Sequence, residues 1–299
     1  MSELVLTTDI KEYPLMRRGK VRDIYDLGDS LLFIASDRIS AFDVVMPNGI
    51  PEKGRVLTQM SLFWFDFLKD VVANHLVTAK IDEYPVKLRQ YRSALEGRSM
   101  IVVKAERVDA ECIVRGYISG SMWKELVQAR KSGNNAVHGF DFPASLQESA
   151  KLPKPIFTPS SKNDDGHDEN ISYDQLVKVV GSDTAVLCRD KSLAVYQKAA
   201  DYALTKGIII ADTKFEFGFK NGTFTLIDEV LSPDSSRFWP VSGYQVGHGQ
   251  PSFDKQPIRD WLESTGWDKK PPAPKLPDEV VAASSKRYLE AMRLLTGRS

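Results

Sequence analysis

The chain has 299 residues, with 40 Lys and Arg against 40 Asp and Glu, so its formal net charge is zero. Apolar residues make up 42% and charged residues 27%, the balance of a folded chain long enough for a sizeable core and two lobes. A zero sum argues against a general nucleic-acid binder and against a polybasic membrane-surface protein.

The opening MSELVLTTDIKEYP lacks the cationic and apolar regions of a secretory leader, and the longest apolar runs are strand-sized. Two cysteines, Cys112 and Cys188, cannot build a disulfide framework. The expected location is therefore the cytoplasm, with no membrane span. Short apolar runs predict strands over 20–25, 31–35 and 100–108, with a well-buried helix over 57–72 among them. The stretch 134–166, rich in Pro, Ser, Asn and Gly, reads as a long ordered loop. Helices over 172–180 and 183–206 follow, then a hairpin over 208–230, a stiff spacer KKPPAPKLP and a last helix over 278–295. Strands first and helices later, joined by hairpins, indicate α+β with mainly antiparallel sheet.

Five segments could carry chemistry. In RRGKVRDIYD, Lys20 and Arg22 alternate on one strand face, where a polyphosphate could lie across both; a charged edge strand is the plainer reading. No Walker loop and no GxGxxG follows a strand. In AECIVRGYISGSMWKEL, a strand carrying Glu111, Ile113, Arg115 and Tyr117 on one side breaks at Ser119-Gly120-Ser121, where a helix begins. Such a start offers free N–H groups to an anion, and Arg115 offers a bidentate charge; simple capping by Ser121 with Arg115 in a salt bridge reads the same residues blandly. The loop TPSSKNDDGHDENIS holds Lys162, Asp164, His167 and Asp168 without zinc spacing.

In IIIADTKFEFGFKNGTFTLIDEV, alternation puts Asp212, Lys214 and Glu216 on one face and Phe215 and Phe217 on the other. A two-residue Asn221-Gly222 turn pairs Glu216 with Ile227 and points Asp228 away. A three-residue loop pairs Lys214 with Asp228 and gathers all four charged groups on one face. Two carboxylates beside a lysine suit a magnesium–nucleotide site, whereas a solvated polar face is the alternative. Finally, LIDEVLSPDSSRFWP places Asp234 in a turn leading to Arg237, its expected partner.

IVRGYISGS and IIADTKFEFG closely resemble the two signature segments of the SAICAR synthetase family, the phosphoribosylaminoimidazole-succinocarboxamide synthases. GKVRDIY, SDRISAFD, SKNDDGHDENIS, DEVLSPDSSRFW and SFDKQ resemble it too, in its order, from about Gly19 to Trp261. Asp109 and Ala110 depart from the usual Pro and bulkier apolar residue, and Ser119 replaces Thr or Ala. The resemblance implies a two-lobed fold distantly akin to kinases and ATP-grasp enzymes, with a mainly-β, ATP-binding lobe over 1–110 and an α+β lobe over 111–299 holding the ribonucleotide and Mg²⁺ sites. It implies a ligase that joins L-aspartate to carboxyaminoimidazole ribonucleotide (CAIR) with ATP, through an acyl phosphate. The expected partners are these small molecules alone, with the chain a monomer.

Carried over by position, Glu216 and Asp228 resemble the Mg²⁺ ligands, and Lys20 and Arg22 the triphosphate contacts. The stretch carrying Lys104, Glu106 and Val108 resembles the backbone edge that holds adenine. Arg115, Ser121 and Arg237 resemble the ribonucleotide phosphate pocket, with Asp234 beside it. Asp212 and Lys214 would lie near the reacting carboxylate, and Asp37 and Ser40 would face the substrates from the first lobe. Asp254, Lys255 and the loop 162–168 would help close over ATP or aspartate. Glu216-Phe217-Gly218 superficially echoes a kinase metal loop, but neither HRD…N nor a glycine-rich kinase loop accompanies it.

Overall fold

The computed structural model describes residues 4–162, 169–253 and 255–298. As the alternation predicts, its strands form two main sheets, nearly all antiparallel. The first sheet orders Leu15–Arg18, Arg22–Asp26, Ser30–Ala35, Ser99–Val103 and Leu76–Thr78. The second follows the path Lys151–Phe157, Ala110–Tyr117, Ile208–Lys220, Thr223–Ile227 and Ala73–Asn74. Ser236–Pro240 and Glu106–Arg107 also pair with its long strand Ile208–Lys220. The last pairing on the path, to Ala73–Asn74, is parallel and brings a piece of the N-terminal half into this second sheet.

The strand Ser30–Ala35 shows why an unbroken apolar run was needed there. Phe33 and Ala35 join the main core, while Leu32 and Ile34 join a second core with Ile10, Tyr25 and Tyr84, so both faces are buried. The main core is continuous from Phe33 to Leu295 and contains Phe215 and Phe217, the aromatic face foreseen for the long strand.

The predicted helices form, with informative boundary shifts. The first spans Lys53–Phe67 and starts earlier than its apolar period suggests. Its opening N–H, on Gly54, is accepted at 2.9 Å by the carboxylate of Asp37, a cap supplied from far along the chain. A Cβ on Gly54 would lie 2.1 Å from the Ala35 carbonyl oxygen, so only glycine lets this helix end meet the sheet. The helices Tyr173–Val180, Ser182–Thr205 and Asp278–Thr296 match expectation, the first with a Ser172/Gln175 capping box. A further helix, Gln256–Ser264, was not foreseen.

Two expectations need correction. The predicted strand 100–108 is split: Ser99–Val103 belongs to the first sheet, and Glu106–Arg107 crosses to the second. The stretch 134–166 is not a plain loop. It contains the strand Lys151–Phe157, which tolerates Pro153 and Pro155 because it lies at the end of the strand path. No described helix is long and apolar enough to cross a membrane.

Candidate active site

The hairpin that ends the long strand takes the two-residue turn. Lys220 pairs with Thr223 and Glu216 with Ile227, and Asn221 and Gly222 have φ of 49° and 78°, a type I′ geometry. That register was expected to point Asp228 away from Glu216. Instead the ladder stops at Ile227, Asp228 adopts φ 65°, and its carboxylate lines the same cavity as Glu216. Strand alternation did not bring the two acids together; a left-handed residue after the strand did.

This first cavity, of about 600 Å³, is walled by residues from both sheets. Lys20, Arg22, Lys162, Lys214, Glu216 and Asp228 form its charged part, and Ile24, Leu31, Phe33 and Val103 an apolar part. Lys214 and Lys162 lie 3.1 and 2.7 Å from Glu216 Oε1, and both also pair with Glu111. Burial opposes the charge on Lys214, but Glu216, Glu111 and Asp228 outweigh it and hold the ammonium protonated. Arg22 donates to both oxygens of Asp228, at 2.9 Å for the Nη2–Oδ2 bond, and lies 3.6 Å from Glu229. Burial would raise the Asp228 carboxyl, yet Arg22, Lys214 and Lys162 hold it down at about 2. Glu229 has the opposite balance: burial and neighbouring Asp234 and Asp228 push it up.

A second cavity, of about 970 Å³, opens beside the helix Gly120–Lys131. Among the described residues no side chain caps this helix, and none partners the buried hydroxyl of its N-cap residue Ser119. Ser119, Gly120, Ser121 and Arg237 line the cavity together. Gly120 has φ 59°, and a Cβ there would sit 2.3 Å from Nη2 of Arg237, so the missing side chain is what lets the guanidinium lie over the helix start. Uncapped N–H groups, an unpartnered hydroxyl and a guanidinium together suit a phosphate.

Several expected site residues stand elsewhere. Arg115 and Asp212 line neither cavity. Arg115 is buried, donates to Asp212 at 2.9 Å and to Thr158 at 3.0 Å, and Arg237 grips the same oxygen of Asp212. Both are pulled beneath the wall because adjacent strands pair Arg115 with Asp212 and Asp212 with Arg237. Asp37 lines neither cavity: it is fully buried, bonded to Gly54 and Val5 N–H groups and ion-paired with Arg98 at 2.9 Å.

The side chains of Lys104, Glu106 and Val108 also miss the cavity, which Val103, Ala105 and Arg107 line instead. Both backbone groups of Val108 are committed, its N–H to Phe217 and its carbonyl to Ala110. Asp234 partners Lys53, Lys255 and Tyr288 rather than Arg237. Lys20, Ser40 and Ser121 do line cavities. Asp164, His167, Asp168 and Asp254 lie outside the described residues. Glu111 was missed as a partner of both lysines, although its alternation with Arg115 was visible; Ser119 and Lys53 were missed as well.

A family model described as SAICAR synthetase matches residues 15–274. The phosphoribosylaminoimidazole-succinocarboxamide synthase of Thermodesulfovibrio yellowstonii is 56% identical over 296 residues, covering 99% of this chain and all of the relative. That of Geotalea uraniireducens is 54% identical over 299 residues, covering 100% of this chain and 99% of the relative. The structure of the SAICAR synthase of Saccharomyces cerevisiae complexed with SAICAR is 46% identical, with a TM-score of 0.89 and 99% of each chain covered. A type-2 SAICAR synthetase in complex with ADP aligns at 26% identity and a TM-score of 0.69, covering 95% of this chain and 98% of that one. The chain belongs to the SAICAR synthetase family, the carbon–nitrogen ligases of purine biosynthesis that join aspartate to CAIR in an ATP-dependent reaction.

Proposed function

We propose that the two adjoining cavities divide the substrates of this ligase, with ATP in the smaller one and CAIR and L-aspartate in the larger. The observation that carries this reading is their contrasting chemistry. One cavity joins paired carboxylates and lysines to an apolar wall; the other joins an uncapped helix start to Arg237. A yeast relative complexed with SAICAR and a more distant one with ADP support both occupants. In this reading the mainly-β residues 1–110 contribute the nucleotide wall, and 111–299 contribute the carboxylates and the phosphate pocket.

Glu216 and Asp228 fit Mg²⁺. Two carboxylates with room for phosphate oxygens and water are what that ion takes, and each is now held by cations that a bound metal would displace or share. Mg²⁺ there would neutralise charge on the phosphate chain. The protein's own residues act mainly by placement. Lys20 and Arg22 hold the triphosphate, and Lys214, kept protonated by its acidic neighbours, faces the transferring phosphoryl group. Arg237 and the helix start anchor the ribonucleotide phosphate, and Asp212, held by Arg115, fixes the angle of Arg237. A CAIR carboxylate oxygen attacks the γ-phosphorus and ADP leaves with the bonding pair. The aspartate amine then attacks the acyl carbon, loses a proton and expels phosphate, a sequence that needs alignment more than any added nucleophile.

Two buried free thiols, Cys112 and Cys188, support residence in the reducing cytoplasm, and the zero net charge argues against nucleic acid as a partner; the working unit in this reading is a monomer. The test is ADP release by purified protein given Mg-ATP, CAIR and L-aspartate; release that does not depend on aspartate overturns the reading.

A further inference from the structure

Ser40, Asp43 and Lys255 line both cavities, and Lys255 is the cation among the three. Its ammonium lies 3.2 Å from Oδ2 of Asp234, and the ammonium of Lys53 lies 2.8 Å from the same oxygen. Tyr288, from the last helix, donates its hydroxyl to the other oxygen at 2.6 Å. Two ammonium groups thus share one carboxylate. The Lys53 side chain is fully buried, whereas Lys255 keeps 11% of its side-chain surface open.

A buried ammonium at a helix start is costly, and an apolar residue of similar volume would ordinarily serve packing better. Burial indeed pushes Lys53 down, with Asp234 opposing and Lys255 adding to the push. What Lys53 supplies is electrical. Alone with Asp234, Lys255 would form a neutral pair and present little field to the junction. With Lys53 also on the carboxylate, two amine side chains share a single anion, and Lys255 is the member nearest open space.

We propose that Lys255 contacts the phosphoryl group as it passes from the nucleotide cavity to the CAIR carboxylate, and that Lys53 is a positioning residue that occupies Asp234 so that Lys255 stays available. The proposal rests on the division of substrates given above. In the step concerned, the bond from the γ-phosphorus to the ADP oxygen breaks, and a bond from that phosphorus to a carboxylate oxygen forms. Lys255 donates hydrogen bonds to the phosphoryl oxygens and keeps its protons throughout.

The experiment compares the unaltered enzyme with Lys255→Met, Lys53→Met and the double variant Lys53→Met/Asp234→Asn. It measures kcat with all three substrates and the dissociation constant of Mg-ATP by calorimetry. Lys255→Met should lower kcat about 100-fold, the usual loss for one transition-state donor, with ATP affinity changed less than about threefold. Lys53→Met should lower kcat about tenfold, and adding Asp234→Asn should restore most of that loss, because the anion that recaptures Lys255 is gone. A Lys255→Met enzyme with kcat within about threefold of normal overturns the proposal, as does a double variant no faster than Lys53→Met. Should Lys53→Met fail to fold, Lys255→Met, at a loop–helix junction, decides by itself. An unaltered protein with no aspartate-dependent ADP release refutes the substrate assignment instead.

Discussion

Gly120 lies against the guanidinium of Arg237 so closely that any Cβ would sit 2.3 Å from its Nη2. The glycine's left-handed φ of 59° adds a second reason for its identity, since an L side chain there costs roughly 1–2 kcal/mol. Gly120→Ala should therefore displace Arg237 and weaken CAIR binding about tenfold or more, while ATP affinity stays within about twofold. Calorimetric titration of each ligand separates the two, and equal losses would contradict the phosphate pocket.

Arg115 and Arg237 share Asp212 but should fail differently when replaced. Arg237→Ala removes a cavity cation and should raise the CAIR dissociation constant with little change in melting temperature. Arg115→Met removes the deeply buried cation, 4% exposed against 29% for Arg237, together with its bond to Thr158, which costs about 3–5 kcal/mol. Thermal melts set beside CAIR titrations distinguish the roles; a stable Arg115→Met protein with impaired CAIR binding alone would return Arg115 to the pocket.

Asp37 ties the first helix to Arg98 and to the N-terminal segment. Asp37→Asn should cost about 3 kcal/mol of stability and leave the KM values of the folded fraction near normal. A selective rise in one substrate's KM, with stability intact, would show that it meets substrate after all.

His75 sits between the rings of Phe33 and Phe65, with centroids 5.6 and 5.4 Å away, and its buried Nε2 has no hydrogen-bond partner among the described residues. Burial lowers its pKa to about 4; Asp228 opposes that shift and Arg22 reinforces it. A neutral folded imidazole means the unfolded chain takes up the proton first. Its contribution is complete above pH 6.5 and declines as the pH falls towards 4, by about 3 kcal/mol in all. Urea melts between pH 7 and 4 should show His75→Phe with a shallower loss than the unaltered chain; parallel curves would contradict this.

What the sequence made legible was whatever depends on alternation or helical period. The burial of Phe215 and Phe217 and the cavity position of Lys214 and Glu216 follow from a two-residue repeat that the ladder enforces. The same reasoning misjudged Asp228, because φ at a strand's end obeys no repeat. It joined 100–108 into one strand because no repeat signals a change of sheet: Ser99–Val103 stays in the first sheet and Glu106–Arg107 pairs in the second. Arg115 carried the correct chemistry at the wrong depth: cation and anion on adjoining strands satisfied each other below the surface. Asp37, Lys53 and Lys255 find their partners through tertiary contacts with no local pattern.

The proline-bearing strand Lys151–Phe157 has a bearing on how the folded chain meets copies of itself. It lies at the end of the strand path and carries Pro153 and Pro155. A proline at that point offers no donor to an approaching strand. The end of the large sheet is therefore a poor template for edge-to-edge recruitment, a protection against aggregation that persists at high protein concentration without any stabilising contact of its own.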